Sequence, residues 1–286
     1  MHRGQLFRKY FLLILALVCG TLLLSGGVGL YFAYQENKDA LAGLQREKAA
    51  GAAAHIEQYV SQIERHVTFA AQPHFGPADL EERRIEFLKL LRIVPDVTDI
   101  AQIDAKGREQ VFESRLGMSA LGSNKDRSQE PVFTNARAGR TWFSPVYFRK
   151  ETEPYMSIAV RAGESGPVTV AEVNLKFMWD VITRIRIGQK GKAYVVEGTG
   201  HLIADPDLGL VLRKTDLAGL EQVKAAFAPG AGDSLAMLAK DFAGNSVLTA
   251  YAPIEPGRHK PPQSGPATPL GWKVFVEQPV SEVYSA

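Results

Sequence analysis

Arg140, Trp142, Phe143, Tyr147 and Tyr155 fall within sixteen positions of the stretch Arg137–Val160, RAGRTWFSPVYFRKETEPYMSIAV. Side chains alternate along a β-strand, so Arg140 and Trp142 share one face and Phe143 takes the other. A guanidinium holds a carboxylate through two parallel hydrogen bonds, and an indole beside it keeps water from the pair. The same residues also suit a sheet core with Arg140 as a charged edge residue. Residue types alone leave both readings open.

No other group has the pattern of a reacting centre. None of His2, His55, His66, His74, His201 and His259 has a histidine or carboxylate partner at metal-ligand spacing. GQKGKAY at Gly188–Tyr194 lacks the order of a phosphate loop and places Ala193 where the hydroxyl belongs. Neither a GxSxG elbow nor a GxGxxG fingerprint occurs. Asp205 and Asp207 flank Pro206; such a pair can do acid/base work, but a turn is the commoner use of Asp around proline. The residues present thus predict no catalytic group, no metal site and no cofactor.

The elements that must position the aromatic stretch form an α+β pattern of antiparallel strands with helices grouped around them. VTDIAQID alternates like a half-buried strand, AKG turns at Gly107, and REQVFESR returns. Further strands are expected at Trp142–Phe148, Tyr155–Ala162 and Val168–Leu175, then a helix over KFMWDVITRI. The grammar recurs with KAYVVEGTGHLIADP, the helix LEQVKAAFA, and the strands SVLTAYAPI and GWKVFVEQP, the last two separated by the Pro/Gly-rich loop Glu255–Leu270. Two stacked modules are expected, with a boundary near Ile187–Lys190. Before them lie a helix over Pro77–Ile93 and a proline-free helix over residues 35–71. In the latter Ile56, Val60, Ile63 and Val67 make an a/d stripe. That stripe packs on the chain's own domain, on the same helix of a second subunit, or partly on each along the helix.

Composition sets the compartment. With 45% hydrophobic residues among 286 the chain folds, and 33 Lys+Arg against 31 Asp+Glu without a basic block exclude a nucleic-acid partner. The single cysteine, Cys19, cannot form an intrachain disulfide. Tyr10–Tyr34 contains no charge; as a helix it reaches about 37 Å, enough to cross a hydrocarbon core of roughly 30 Å. Arg3, Arg8 and Lys9 precede it, which keeps the N-terminus cytoplasmic and exports the residues after about 35. An uncleaved inner-membrane anchor fits better than a signal peptide, whose apolar region is shorter.

The order of anchor, long helix, VTDIAQIDAKGREQVF, TWFSPVYFRKETEPYMSIAV, VTVAEVNLKFMWDVI, GKAYVVEGTGHLIADPD and LTAYAPI…GWKVFVEQPVSEVY resembles the double Cache (dCache) family of bacterial extracytoplasmic sensors. The resemblance implies a cytoplasmic N-terminus (1–9), a transmembrane helix (10–34), a stalk and dimerisation helix (35–71), a membrane-distal, ligand-binding PAS-like module (72–187) and a membrane-proximal one (188–280). Residues 281–286 would begin a helix toward a second transmembrane span, a HAMP linker and an output domain. A histidine kinase, as in two-component systems, is the first expectation for that output and an adenylate/guanylate cyclase the next. An anchored periplasmic enzyme and an adaptor protein without a small ligand are the alternatives.

The family's amino-acid-binding subgroup carries an Arg-x-Trp-aromatic signature, matched by Arg140, Trp142 and Phe143. Its later Asp, which holds the ligand ammonium, is here Asn174, with Glu172 two residues earlier on the same strand face as a substitute. The resemblance therefore implies a small carboxylate-bearing ligand, an organic or amino acid, held by Arg140 and walled by Trp142, Tyr147 and Tyr155. It also implies a homodimer through the long helix.

Overall fold

The computed structural model describes residues 3–72, 79–139, 141–149, 153–232, 235–256 and 269–283; the side chains of 3–16, 18, 30, 31, 33–35, 37 and 38 lie outside that description. Arg140 is therefore outside the described residues, as is most of the loop expected at Glu255–Leu270.

The apolar run and the proline-free stretch behind it form one helix, α1 (Arg3–Ala71). The chain divides into two compact units, Met1–Leu44 and Gln45–Ala286. In the first, part of the expected span Tyr10–Tyr34 lies outside the described side chains, and among the described residues no helix is long and apolar enough to cross a membrane. Leu22, Leu23, Leu24 and Phe32, which are described, stand 67%, 77%, 70% and 66% exposed.

The second unit holds α2 (Leu80–Ile93) and then a seven-stranded antiparallel sheet built from β1 (Val97–Ile103), β2 (Glu109–Ser114), β3 (Ala120–Leu121), β4 (Thr141–Phe143), β5 (Tyr147–Arg149), β6 (Glu153–Arg161) and β7 (Val168–Asn174). Its order is β3-β2-β1-β7-β6-β4, with β5 pairing β6 beside β4. Helix α3 (Pro131–Ala138) lies between β3 and β4 in sequence, and α4 (Lys176–Arg184) follows β7. A five-stranded antiparallel sheet comes next, β10-β11-β12-β8-β9. It comprises β8 (Lys192–Val196), β9 (Leu202–Ala204), β10 (Ala236–Lys240), β11 (Ser246–Ile254) and β12 (Trp272–Pro279), with α5 (Leu208–Leu212) and α6 (Glu221–Phe227) between β9 and β10 and α7 (Val280–Val283) after β12. The α+β class and the 97–114 hairpin stand as expected. The single strand expected at Trp142–Phe148 is instead two, because Pro145 in the intervening segment has no amide to continue a ladder.

Both sheets rest on α1. Ile56, Val60, Ile63 and Val67 are at most 1% exposed, in one core with Ile100, Ile158 and Val173 of the first sheet and Val195, Ala250 and Val274 of the second. The stripe thus faces the chain's own sheets, the first of the packings expected for it. Each fully buried Val or Ile there contributes roughly 1.5–3 kcal/mol. Strand β1 also departs from expectation: all seven of its residues are buried rather than alternate ones. One of its faces packs in the core with α1, through Ile100, and the other lies toward α3, through Ile103, with Asp99 at the edge of that cover.

The two halves repeat one device. Gly107, at φ +83, turns β1 into β2, and its carbonyl accepts the Arg127 amide at 2.8 Å. Gly200, at φ +92, turns β8 into β9, and its carbonyl accepts the Leu217 amide at 2.9 Å. A Cβ would meet Ser128 at 2.4 Å in the first case and Ala218 at 2.5 Å in the second. Glycine serves both the left-handed turn and the close crossing. Each crossing segment then enters a short helix, α3 or α6.

Candidate functional site

The first sheet packs one face on α1, and the other is only partly covered, by α3. Val132, Phe133 and Ala136 of α3 lie over Ala159 and Val170, with Trp142 packed at the margin. Beyond that cover the cross-strand register assembles a polar row: Ser157 of β6 opposite Glu172 of β7, Glu172 opposite Asp99 of β1, and Asp99 opposite Ser114 of β2. Antiparallel partners put their side chains on the same face.

Each member of the row has defined partners. The Ser157 hydroxyl lies 3.1 and 3.2 Å from the two Glu172 oxygens. Asp99 accepts hydrogen bonds from Thr98 Oγ1 at 3.0 Å and from the Ser114 hydroxyl, and forms an ion pair with Arg149 of β5. The Arg149 guanidinium also lies over the Tyr155 ring, 5.7 Å from its centroid. Arg127, brought in by the crossing over Gly107, pairs with Glu130 at 2.7 Å and Glu109 at 3.2 Å.

These groups line an open concavity of about 390 Å³ bounded by Asp99, Phe112, Arg127, Glu130, Val132, Tyr147, Arg149, Ser157 and Glu172. Two guanidiniums and three carboxylates thus face one space, enough to orient a small molecule carrying both charges. Burial pushes the Glu172 carboxyl up to about 7; Arg127 opposes the rise, while Asp99 and Glu130 add to it. Glu172 is therefore the acidic group whose charge an incoming cation would most readily stabilise.

The residues expected from sequence divide among several places. Tyr147 and Glu172 line the concavity. Tyr155, 2% exposed, stacks with Tyr147 at 6.1 Å and lies beneath Arg149, as floor rather than wall. Asn174 donates to Glu153 at 2.6 Å and to the Tyr155 hydroxyl at 3.2 Å, one step along the sheet from Glu172. Trp142 shares this face but packs beside α3 and does not line the concavity. Phe143 points the other way, 4% exposed, into the core with α1. Arg140 lies outside the described residues. Asp99, Arg127, Glu130, Arg149 and Ser157 escaped the sequence reading; the available signal was Asp99, a carboxylate inside the run Val97–Ile103.

The corresponding region of the second half is filled. Lys192, Tyr194, Asp205 and Glu277, with leucines around them, leave about 10 Å³, room for a single water. Lys192 pairs with Asp205 at 2.6 Å, and the Tyr194 hydroxyl donates to Glu277. Among the described residues no group of His, Cys, Asp and Glu is arranged to hold a metal ion.

Several solved extracellular and ligand-binding domains share this architecture. The extracellular domain mmHK1S-Z2, described as that of a histidine kinase, superposes with a TM-score of 0.67 at 14% identity, over 86% of this chain and 100% of that one. The ligand-binding domain of the Pseudomonas aeruginosa amino-acid chemoreceptor PctB, in complex with L-Gln, gives 0.59 at 19% identity over 85% and 92%. That of the Campylobacter jejuni chemoreceptor Tlp3, in complex with 4-methylisoleucine, gives 0.64 at 9% identity over 87% and 95%. No curated protein matches the chain in sequence. At these identities the likeness is one of fold, but residues 33–286 also match the model of the Cache domain, dCache_1, and the chain belongs to the double Cache family.

Proposed function

We propose that this protein is the extracytoplasmic small-molecule sensor of a bacterial signal-transduction receptor and that its ligand occupies the concavity over Ser157, Glu172 and Asp99. In this reading Tyr10–Tyr34 anchors the chain in the inner membrane with its N-terminus cytoplasmic. Residues 72–187 form the membrane-distal, ligand-binding PAS-like module and 188–280 the proximal one. Output is through a histidine kinase, or next a nucleotide cyclase. A homodimer along α1 would use its exposed side, where Phe69 stands 69% exposed.

The ligand is a small carboxylate-bearing molecule, an amino acid foremost. Its carboxylate meets Arg149 or Arg127, with Arg140 as a further donor, and its ammonium meets Glu172. Trp142 and Tyr155 support the site from its margin and floor, and Phe143 from the core behind it. The observation that carries the reading is the polar row beneath two guanidiniums, on a sheet face that α3 leaves partly uncovered. Receptor domains of the same fold are described with L-Gln, L-isoleucine and GABA.

Isothermal calorimetry of the purified chain with a panel of amino and organic acids tests it. Saturable binding by at least one of them, weakened in Glu172→Ala and Arg149→Ala, is the expected result. Binding indifferent to both substitutions would remove the ligand from this concavity.

A further inference from the structure

Strand β5 touches both halves of the second unit. It lies beside the main strand path and pairs only with β6, at three positions. Alternation sends Tyr147 and Arg149 into the concavity and Phe148 to the opposite side. There Phe148 packs on the core of the second half, with Leu210 and Leu220 among its neighbours in that cluster. The Lys214 ammonium stands 5.3 Å from its ring centroid.

The segment that receives Phe148 is α5 and the hydrogen-bonded turn after it. Lys214, at φ 52, sits in the turn after α5, where its amide donates to Val211 at 2.9 Å. At its other end, Asp205 pairs with Lys192, the cross-strand partner of Glu277 on β12, and β12 runs directly into α7. A three-residue strand held by one ladder costs less to shift than the long central strands β1, β6 and β7. A displacement of Arg149 that carries its backbone along reaches Phe148 through a single peptide unit.

We propose that β5 is a lever coupling the concavity to residues 208–215 of the second half, with Phe148 as the positioning residue at the contact. A bound carboxylate that draws Arg149 off Asp99 moves β5, and Phe148 then reseats the turn at Lys214. The identity of what moves β5 rests on the ligand reading above; the coupling itself does not. Binding can bias the second half only if the two positions of β5 differ in affinity for the ligand.

A double-mutant cycle read by amide hydrogen exchange on the full chain tests the lever without a ligand. Asp99→Asn weakens the hold on Arg149 and is expected to raise exchange at Arg213, Lys214 and Thr215 by about threefold or more. In the Phe148→Ala background the same substitution is expected to change nothing there. Equal increments in both backgrounds, or none in the native one, would overturn the proposal. If Phe148→Ala loosens the whole second half, seen as lost protection along β11 and β12, the cycle is read in Phe148→Leu and Lys214→Ala, and additivity in both sinks it. Non-additivity without binding in calorimetry leaves the lever standing and removes the ligand reading; binding with additivity does the reverse.

Discussion

Asp99 and Glu172 are register partners on neighbouring strands, and their carboxylates share one face of the sheet. Among the described residues Asp99 has an arginine in direct contact, Arg149, whereas the Glu172 carboxylate meets the neutral hydroxyl of Ser157. Burial raises the Glu172 carboxyl to about 7, so it holds its proton well above the ordinary carboxylate range.

Stability should record this. The unfolded chain releases the Glu172 proton near the ordinary value of 4.5, whereas the folded chain holds it to about 7. Between those values the native state binds more protons, so stability falls as pH rises. The contribution is fully present below 4.5 and lost by pH 8, a difference of roughly 3 kcal/mol at most. Glu172→Gln should therefore gain on the native protein at pH 8 relative to pH 5 in urea unfolding. The same stability difference at both values would show that Glu172 is not desolvated as described.

Ligand affinity should run in the opposite sense for an ammonium-bearing compound. An incoming ammonium favours the ionised carboxylate, so binding improves from pH 5.5 to pH 8. Removing one charge-assisted hydrogen bond costs about 1.5–3 kcal/mol, which predicts a loss of roughly ten- to a hundred-fold for Arg149→Ala or Glu172→Gln. Calorimetry at the two pH values with L-glutamine as first probe reads both effects. A pH-independent affinity would place the ammonium elsewhere.

Gly107 offers a test of how Arg127 is brought to the site. Gly107→Ala meets both a positive φ and the Ser128 backbone, whereas Gly163→Ala meets a positive φ of 68 in open space. The strain at Gly163 is expected to cost about 1 kcal/mol and that at Gly107 clearly more, on the order of 2–4 kcal/mol. Equal shifts of the urea midpoint would mean that the 122–130 segment yields without resistance.

What the sequence revealed follows from the range of the interactions involved. The 97–114 hairpin is local, written in alternation and a turn glycine, and was legible. Helix α3 was not, since its eight residues, PVFTNARA, carry too little periodicity to separate from a loop. Glu172 and Tyr147 were found through the resemblance. Asp99, Ser157 and Arg149 reach the same concavity only through the pairing of β1 with β7, β7 with β6 and β6 with β5. Strands β1 and β7 lie dozens of residues apart, and the register between such strands leaves no local trace. The stripe on α1 was seen, but its partner was not, because the same a/d spacing serves a sheet as well as a second helix.

That ambiguity has a direct measurement. Ile63 is 1% exposed in the core that joins α1 to both sheets. Ile63→Ala is expected to cost about 2–5 kcal/mol, with little collapse of the cavity because rigid strands surround it. If the stripe were a subunit seam, unfolding would be linked to association and the midpoint would rise with protein concentration. Packing within one chain predicts a midpoint independent of concentration for both the native protein and the variant. Urea unfolding at protein concentrations a hundred-fold apart therefore separates the two, and a midpoint that moves with concentration in the native chain but not in Ile63→Ala would return the stripe to the dimer.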